Sequence, residues 1–175
     1  MSVFLEYEVQ LSQKQYSCSA WCQVDSILAV ASRGGEIKFF GDEGYPLTQS
    51  THARKSRVAK MEWQPMGKIL AVGWMDGASE LLHASVTCTG ALTMWNAKEN
   101  SSYEVPSNHR HPICLLVWSP YGNRIFTADE SGLFVAWKID IRGNIAQCAA
   151  YRRRGAITHC VFCTSELQRE RIQRA

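Results

Sequence analysis

The sequence of 175 residues has no long apolar run, no strong charge of one sign and no disulfide framework. No stretch reaches the length of about 20 apolar residues that a membrane-spanning helix needs, which argues against direct insertion into a bilayer. A net charge of +3 is too mild to indicate a nucleic-acid partner, which requires a clustered basic face. The start, MSVFLEYEVQ, lacks the basic and then apolar pattern of a secretion signal, so we expect a cytoplasmic chain.

Chemistry-bearing patterns are also scarce. The seven cysteines are odd in number and scattered, and a cytoplasmic chain keeps them as thiols. Cys18 and Cys22, and Cys160 and Cys163, are spaced like zinc-ligand pairs, but Cys160 falls in a predicted strand, where residues three apart point to opposite faces. We therefore predict no metal, no cofactor and no internal disulfide.

Catalytic motifs are missing as well. The sequence has no glycine-rich phosphate loop, no nucleophilic serine elbow and no paired carboxylates. His159 is interpreted as a packed strand residue, and Asp76 and Asp129 as turn-capping side chains. The arginines at positions 152–154 are interpreted as a solvated turn. The sequence therefore predicts a protein that is not an enzyme.

What the chain does contain is a repeat. Three segments each place a glycine at the same interval after a tryptophan, and then a second aromatic anchor at the end of the following strand. The tryptophans, which we expect to be core anchors, are Trp21, Trp63 and Trp118; the glycines are Gly35, Gly77 and Gly132; the later aromatics are Phe40, Trp95 and Trp137. Short β-patterned runs separated by Gly- and Pro-containing turns, repeating at a period of about 40 residues, are typical of a β-propeller of WD40 type.

The second repeat is longer than the others. The interval from the turn glycine to the later aromatic is the same in the first and third repeats and longer in the second, between Gly77 and Trp95. Removing residues 78–90 restores both this interval and the period between successive tryptophans. We therefore predict that 78–90 is an insertion in the turn between the second and third strands of that repeat.

These spacings predict an all-β fold: a partial propeller of three four-stranded blades at about 14–52, 53–108 and 109–152, within a domain spanning 1–163. The first strand of a fourth blade is expected within 153–163, because ITHCVF at 157–162 matches ICLLVW at 113–118. In the third repeat we expect strands at 113–118, 124–128, 133–138 and 144–151. A strand at 3–11 precedes the repeats, and the polar tail 164–175 is expected to be helical or disordered.

Two family hallmarks of WD40 repeats are absent. No repeat has the Trp-Asp dipeptide, and the Gly-His element is missing, with His52 and His111 as its nearest remnants. Trp74 occurs only in the second repeat. We interpret it as a core residue, with an exposed interface residue as the alternative.

The segments 63–77, 111–145 and 157–162 closely resemble the first propeller of the intraflagellar transport protein 140 family, whose members are large subunits of intraflagellar transport complex A. The resemblance covers most of residues 1–163 apart from 78–90, and is most specific at 116–145. It implies a non-enzymatic scaffold in retrograde ciliary transport and cilium assembly. The implied partners are other complex A subunits and ciliary cargo, at the cilium, axoneme and basal body.

Family members continue into a second propeller and a helical solenoid, so the resemblance also implies that this chain is the N-terminal part of a longer protein. The alternative is a generic WD40 adaptor outside cilia, such as a vesicle-coat or ubiquitin-ligase substrate receptor.

Overall fold

The computed structural model describes residues 15–47, 52–75, 90–106, 108–140 and 143–162. These residues form three antiparallel sheets, each a meander of four strands in chain order, which we call the first, second and third blades. The first contains β1 (Tyr16–Cys22), β2 (Ile27–Ser32), β3 (Glu36–Phe40) and β4 (His52–Ala53); the second β5 (Val58–Trp63), β6 (Ile69–Trp74), β7 (Leu92–Asn96) and β8 (Ser101–Val105); the third β9 (Ile113–Trp118), β10 (Arg124–Asp129), β11 (Leu133–Ile139) and β12 (Ile145–Arg152). The predicted all-β, partial-propeller fold is confirmed.

The tight turn between the second and third strands depends on glycine in two blades. Gly35 and Gly132 have φ angles of 83° and 85°, a region that favours glycine. A Cβ at Gly35 would collide with the backbone oxygen of Arg54, and one at Gly132 with that of Arg153. Each glycine carbonyl also accepts a hydrogen bond from the same arginine, at 3.1 Å in the first blade and 3.0 Å in the third. Arg54 and Arg153 are therefore equivalent positions.

Strand register shows the extra length of the second blade. The pairs Ala31–Ile37 and Ala128–Phe134 each join residues six apart in sequence, whereas the matching pair Gly73–Leu92 joins residues nineteen apart. The Trp74 amide continues the ladder by donating to the Ala91 carbonyl at 2.9 Å. β6 and β7 thus pair directly with each other across the gap. The described residues do not include Asp76, Gly77 or the insertion apart from Gly90. The conformation of the insertion therefore stays a prediction.

The core lies between the blades. Alternate residues of each inner strand point to the preceding blade, which we call the leading side, or to the following blade, the trailing side. One cluster joins the trailing side of the first blade to the leading side of the second, through residues that include Ile37, Phe39, Trp63 and Trp95. The other joins the second and third blades, through residues that include Leu92, Met94, Trp118 and Trp137. Neighbouring blades therefore stabilise each other by burying apolar surface.

The expected first strand of the fourth blade is the main difference from prediction. Residues 157–162 form no β-ladder in the described part of the chain. A strand is defined by its hydrogen-bonded neighbour, and here the described chain supplies none beside these residues. In the third blade, by contrast, the expected strands agree with the observed ones to within a residue. The predicted strand at 3–11 and the tail at 164–175 lie outside the described residues.

Candidate functional site: the junctions between blades

Each described junction contains a tryptophan that reaches back to the preceding blade. The Trp63 indole Nε1 donates to the Ala20 carbonyl at 3.1 Å, and the Trp118 indole donates to the Glu62 carbonyl at 3.0 Å. Ala20 and Glu62 both directly precede the tryptophan of their own blade. Trp63 is 5% exposed and Trp118 is 3% exposed. A buried indole requires an acceptor, and the inner strand of the neighbouring blade supplies it.

A second repeated contact lies at the turn after each first strand. The Gln64 amide nitrogen donates to the Gly122 carbonyl at 2.7 Å, and at the matching position the Cys22 thiol lies 3.9 Å from the Gly67 carbonyl. In both cases the residue after the tryptophan reaches forward to a turn of the next blade. The two contacts together connect consecutive blades in both directions.

Aromatic packing fills the first junction. The Phe39 and Trp95 rings stack with centroids 4.1 Å apart, and Trp63 meets each of them edge-on at 6.3 and 5.7 Å. Such pairs add about 0.5–1.5 kcal/mol beyond the area they bury. Trp95 is the later aromatic of the second repeat. Its counterparts in the first and third repeats, Phe40 and Trp137, are also buried, at 5% and 2% exposure.

An arginine spans the first junction near the outer strands. Arg54 follows β4, and its guanidinium lies 2.7 Å from a Glu104 carboxylate oxygen on β8. The same guanidinium lies 5.7 Å from the ring centroid of Trp74. Trp74 is fully buried and donates from its indole to the Thr93 hydroxyl at 2.8 Å. Trp74 is therefore a buried core residue at the first junction, and the alternative of an exposed interface residue is wrong.

Trp21 differs from the other two first-strand tryptophans. It is 49% exposed, so the expected core anchor is not a core residue in this structure. The ring projects from the leading side of the first blade, and no sheet of the described chain precedes that blade. Ser19 on the same strand is exposed, whereas its counterparts Met61 and Leu116 are buried.

A buried hydrogen-bond chain supports the third blade, and the sequence analysis missed its histidine. His109 Nδ1 lies 3.1 Å from an Asp129 carboxylate oxygen, and Nε2 lies 2.7 Å from the Thr127 hydroxyl. The Trp137 indole donates to the same hydroxyl at 2.8 Å. Because a carboxylate only accepts, Nδ1 donates to Asp129, and Nε2 accepts the Thr127 proton. His111, the expected remnant, is exposed. The sequence does offer a signal for this contact, because a histidine ahead of β9 can hydrogen-bond to polar residues such as Thr127 and Asp129 on the next strand.

Asp129 caps the turn as the sequence predicts. Its other carboxylate oxygen accepts from the amides of Ser131 and Leu133, at 3.0 and 3.1 Å. Burial acts to raise the pKa of Asp129, but the hydrogen bonds from Ser131, His109 and Leu133 outweigh it, so the pKa lies below its usual value. Burial lowers the pKa of His109 more than Asp129 raises it. The pair is therefore a neutral His109 imidazole that donates a hydrogen bond to the Asp129 carboxylate.

The trailing side of the third blade is built differently from the other two. Eight residues after the first-strand tryptophan, the first and second blades carry buried Ala29 and Ala71, whereas the third carries Phe126. Its ring stacks on Phe162 at 4.8 Å, with the planes 8° apart, and lies 5.1 Å from Phe134. Phe162 holds the place in its repeat that Trp118 holds in the third. Phe162 therefore packs against the third blade through Phe126.

The described part of the chain brings together no cluster of metal-ligating side chains. Its histidines, cysteines and carboxylates form no group of three or more that could hold a metal ion. The described cysteines, Cys18, Cys22, Cys114, Cys148 and Cys160, are free thiols, and the other two, Cys88 and Cys163, lie outside the described residues. His159 is exposed and contacts the Thr158 hydroxyl at 2.9 Å, so its predicted packing role is wrong. No described helix is long and apolar enough to cross a bilayer.

Comparisons with known proteins agree with this architecture. A solved structure described as the computationally designed Ika4 protein superposes with a TM-score of 0.68 and 16% sequence identity, over 93% of this chain and 89% of that chain. At that identity the likeness shows the fold alone. Telomerase protein component 1 of Mus musculus is 26% identical over 124 residues, which are 71% of this chain and 4% of that protein's length.

The match to a protein-family model covers almost the whole chain. The description of that family is the IFT140 first beta-propeller, and it matches residues 2–175. The match spans all three blades and the segment at 157–162, so it covers the junctions as well as the individual strands. The chain therefore belongs to the family of the IFT140 first beta-propeller.

Proposed function

We propose that the chain acts as a non-enzymatic scaffold of the intraflagellar transport complex A type, in retrograde ciliary transport and cilium assembly. The observation that carries the proposal is the family match over residues 2–175. The junction contacts support a scaffold role, because the indoles of Trp63 and Trp118 and the Gln64 amide each donate a hydrogen bond to a backbone carbonyl of the neighbouring blade. The proposed partners are other complex A subunits and ciliary cargo, without nucleic acid and without direct membrane insertion. The proposed locations are the cytoplasm, cilium, axoneme and basal body.

Affinity capture from ciliated cells tests the proposal. The tagged chain should enrich complex A subunits over an untagged control. A Trp63→Ser variant, which removes the indole donor to Ala20, should lose this enrichment because it disrupts the first junction. Capture of vesicle-coat or ubiquitin-ligase subunits in place of complex A subunits would reject the ciliary role and favour an adaptor outside cilia.

Rescue of cells that lack the endogenous subunit tests how much of the scaffold this chain provides. We expect the 175-residue chain alone to leave retrograde transport defective, because the family resemblance implies further domains that complete the scaffold. Restored transport, with material cleared from ciliary tips, would show that the three blades suffice.

A further inference from the structure

The two ends of the blades differ in charge. Because each blade is an antiparallel meander, the turn between its second and third strands and the loop to the next blade lie at one end, which we call the loop face. The other end, with the remaining turns, is the turn face. At the first junction the described loop face carries Arg33, Arg54, Lys55 and Arg57. The described turn face carries more acidic than basic side chains: Asp25, Asp42, Glu43, Glu99 and Asp140 against Lys68, Lys98 and Arg124.

The acidic side chains near the loop face do not neutralise these cations. Glu36 and Glu104 each contact one basic side chain, at 3.9 and 2.7 Å. Asp129 is buried and Glu130 is exposed, and both lie on the third blade. Among the described residues, no carboxylate forms an ion pair with the other exposed cations of the first junction, which are Arg33, Lys55, Arg57 and Lys60. Such an uncompensated positive field attracts an anionic partner.

Backbone contacts hold three of these cations at one edge. A Cβ at Gly35 would collide with the backbone oxygens of Arg54 and Ser56, so the turn that follows Arg33 packs directly on the loop 54–57. The Met75 amide of the second blade donates to the Arg57 carbonyl at 2.8 Å. We call the three exposed side chains of this edge the basic rim: Arg33, Lys55 and Arg57.

Lys60 adds a positive charge below the basic rim. It is exposed and lies within β5, opposite Gly73 of β6. Burial raises the pKa of the Cys18 thiol on β1, and the charges of Lys60 and Arg57 oppose that rise, which places both cations near the inner strand of the first blade. Positive charge therefore continues from the basic rim to the place where β1 and β5 meet.

This arrangement favours a chain of carboxylates over other anions. The cations are spread over a turn, a loop and a strand and do not surround one point, so they suit successive acidic side chains better than a single phosphate. A flat bilayer or a nucleic-acid duplex would meet the basic rim first and leave Lys60 without a contact. The same loop also binds a carboxylate within the fold, since the Arg54 guanidinium lies 2.7 Å from a Glu104 oxygen.

We propose that the basic rim and Lys60 bind an acidic segment of a partner protein in an extended conformation. Successive carboxylates of the segment contact the rim, and one reaches Lys60 between β1 and β5. This inference rests on the charge distribution of the fold and not on the ciliary role, so either can fail without the other.

A labelled acidic peptide serves as the probe. It alternates Glu and Ser over about twelve residues, which is long enough in extended form to cross the rim, and its control carries Gln in place of Glu. Fluorescence anisotropy measures binding to the full 175-residue chain. We expect saturable binding at least about tenfold tighter than that of the Gln control, and weaker binding as salt is raised.

Charge reversal on the two faces provides the sharper test. Arg57→Glu should weaken probe binding by at least about fivefold, whereas Arg124→Glu, on the turn face and with the same change in net charge, should alter it by less than about twofold. Lys60→Gln should weaken it by at least about twofold. Circular dichroism verifies that each variant keeps its β-sheet signal.

Four outcomes would overturn the proposal. Absence of saturable binding up to about 1 mM peptide at low salt would show that the rim is no peptide site. Equal effects of Arg57→Glu and Arg124→Glu would show that binding depends on net charge alone. Tighter binding to phosphatidylserine vesicles or to duplex RNA, unaffected by Lys60→Gln, would make the occupant a lipid surface or a nucleic acid. Self-association in sedimentation that Arg57→Glu abolishes would make the acidic turn face of a second copy the occupant.

Discussion

Trp63 and Trp21 occupy the same place in two successive repeats and have opposite environments. Trp63 is buried and donates to the Ala20 carbonyl of the blade before it, whereas Trp21 is 49% exposed. The residue type and the strand position are the same, so neither decides burial. What differs is the neighbour: the second blade has a blade on its leading side, and the first has none within the described chain. The stability of a repeat in this fold therefore depends on its junctions as well as on its own sheet.

The largest expected effect is at the buried tryptophans. Trp118→Ala should lower the free energy of unfolding by about 3–5 kcal/mol, because it removes a buried ring and leaves the Glu62 carbonyl without its donor. Trp21→Ala should lower it by less than about 1 kcal/mol, because much of that ring is already in contact with water. Urea denaturation followed by circular dichroism measures both. Equal losses would mean that the leading side of the first blade is covered in solution.

The next effect compares two buried threonines. Thr127→Val removes the group that joins His109 to Trp137 and should cost about 2–3 kcal/mol, because two buried polar partners lose their contact. Thr93→Val removes the acceptor of one indole, that of Trp74, and should cost about 1–2 kcal/mol. Thermal unfolding of the two variants in parallel measures the difference. A larger loss at Thr93 would contradict the hydrogen-bond chain.

Acidification should destabilise the third blade first. Because the folded pKa of His109 lies below its usual value of about 6.5, the unfolded chain binds a proton more readily than the folded chain. Stability should therefore fall as the pH decreases below about 6.5. The pKa of Asp129 is also lowered, so its contribution should disappear further down, below about pH 3.9.

Unfolding free energies at pH 7.5 and 5.5 measure the histidine contribution. The loss on acidification should be smaller in His109→Gln, which keeps a polar side chain and does not titrate. An unchanged pH dependence in that variant would assign the effect to the other histidines.

The smallest expected effect is at the insertion. Deleting residues 78–90 should leave the β content unchanged and change the free energy of unfolding by less than about 1 kcal/mol. The reason is that the entropic cost of closing a loop increases only with the logarithm of its length. The pairing of β6 with β7 across the gap supports this expectation. Far-ultraviolet circular dichroism and urea denaturation of the deletion variant measure it. Loss of the β signal would show that the segment belongs to the second blade.

The sequence by itself determined the repeat and the strands of the third blade. Tryptophan-to-glycine spacing and turn chemistry located the three blades, and the extra length of the second repeat reappears in the register between Gly73 and Leu92. Local rules suffice for these features, because a hairpin turn with Gly35 or Gly132 at positive φ involves residues close in sequence. The strands of the third repeat were predicted to within a residue for the same reason.

Only the tertiary structure decided which equivalent residues are buried and which are exposed. Trp21, Trp63 and Trp118 look alike in sequence, but a buried indole needs an acceptor on the preceding blade, which is distant in sequence. The hydrogen bonds of His109 likewise join it to Thr127 and Asp129, whose proximity arises only when β9 and β10 pair. Residues 157–162 have a strand-like sequence pattern but form no β-ladder in the described chain. A strand requires a hydrogen-bonded neighbour, which the local sequence pattern does not supply.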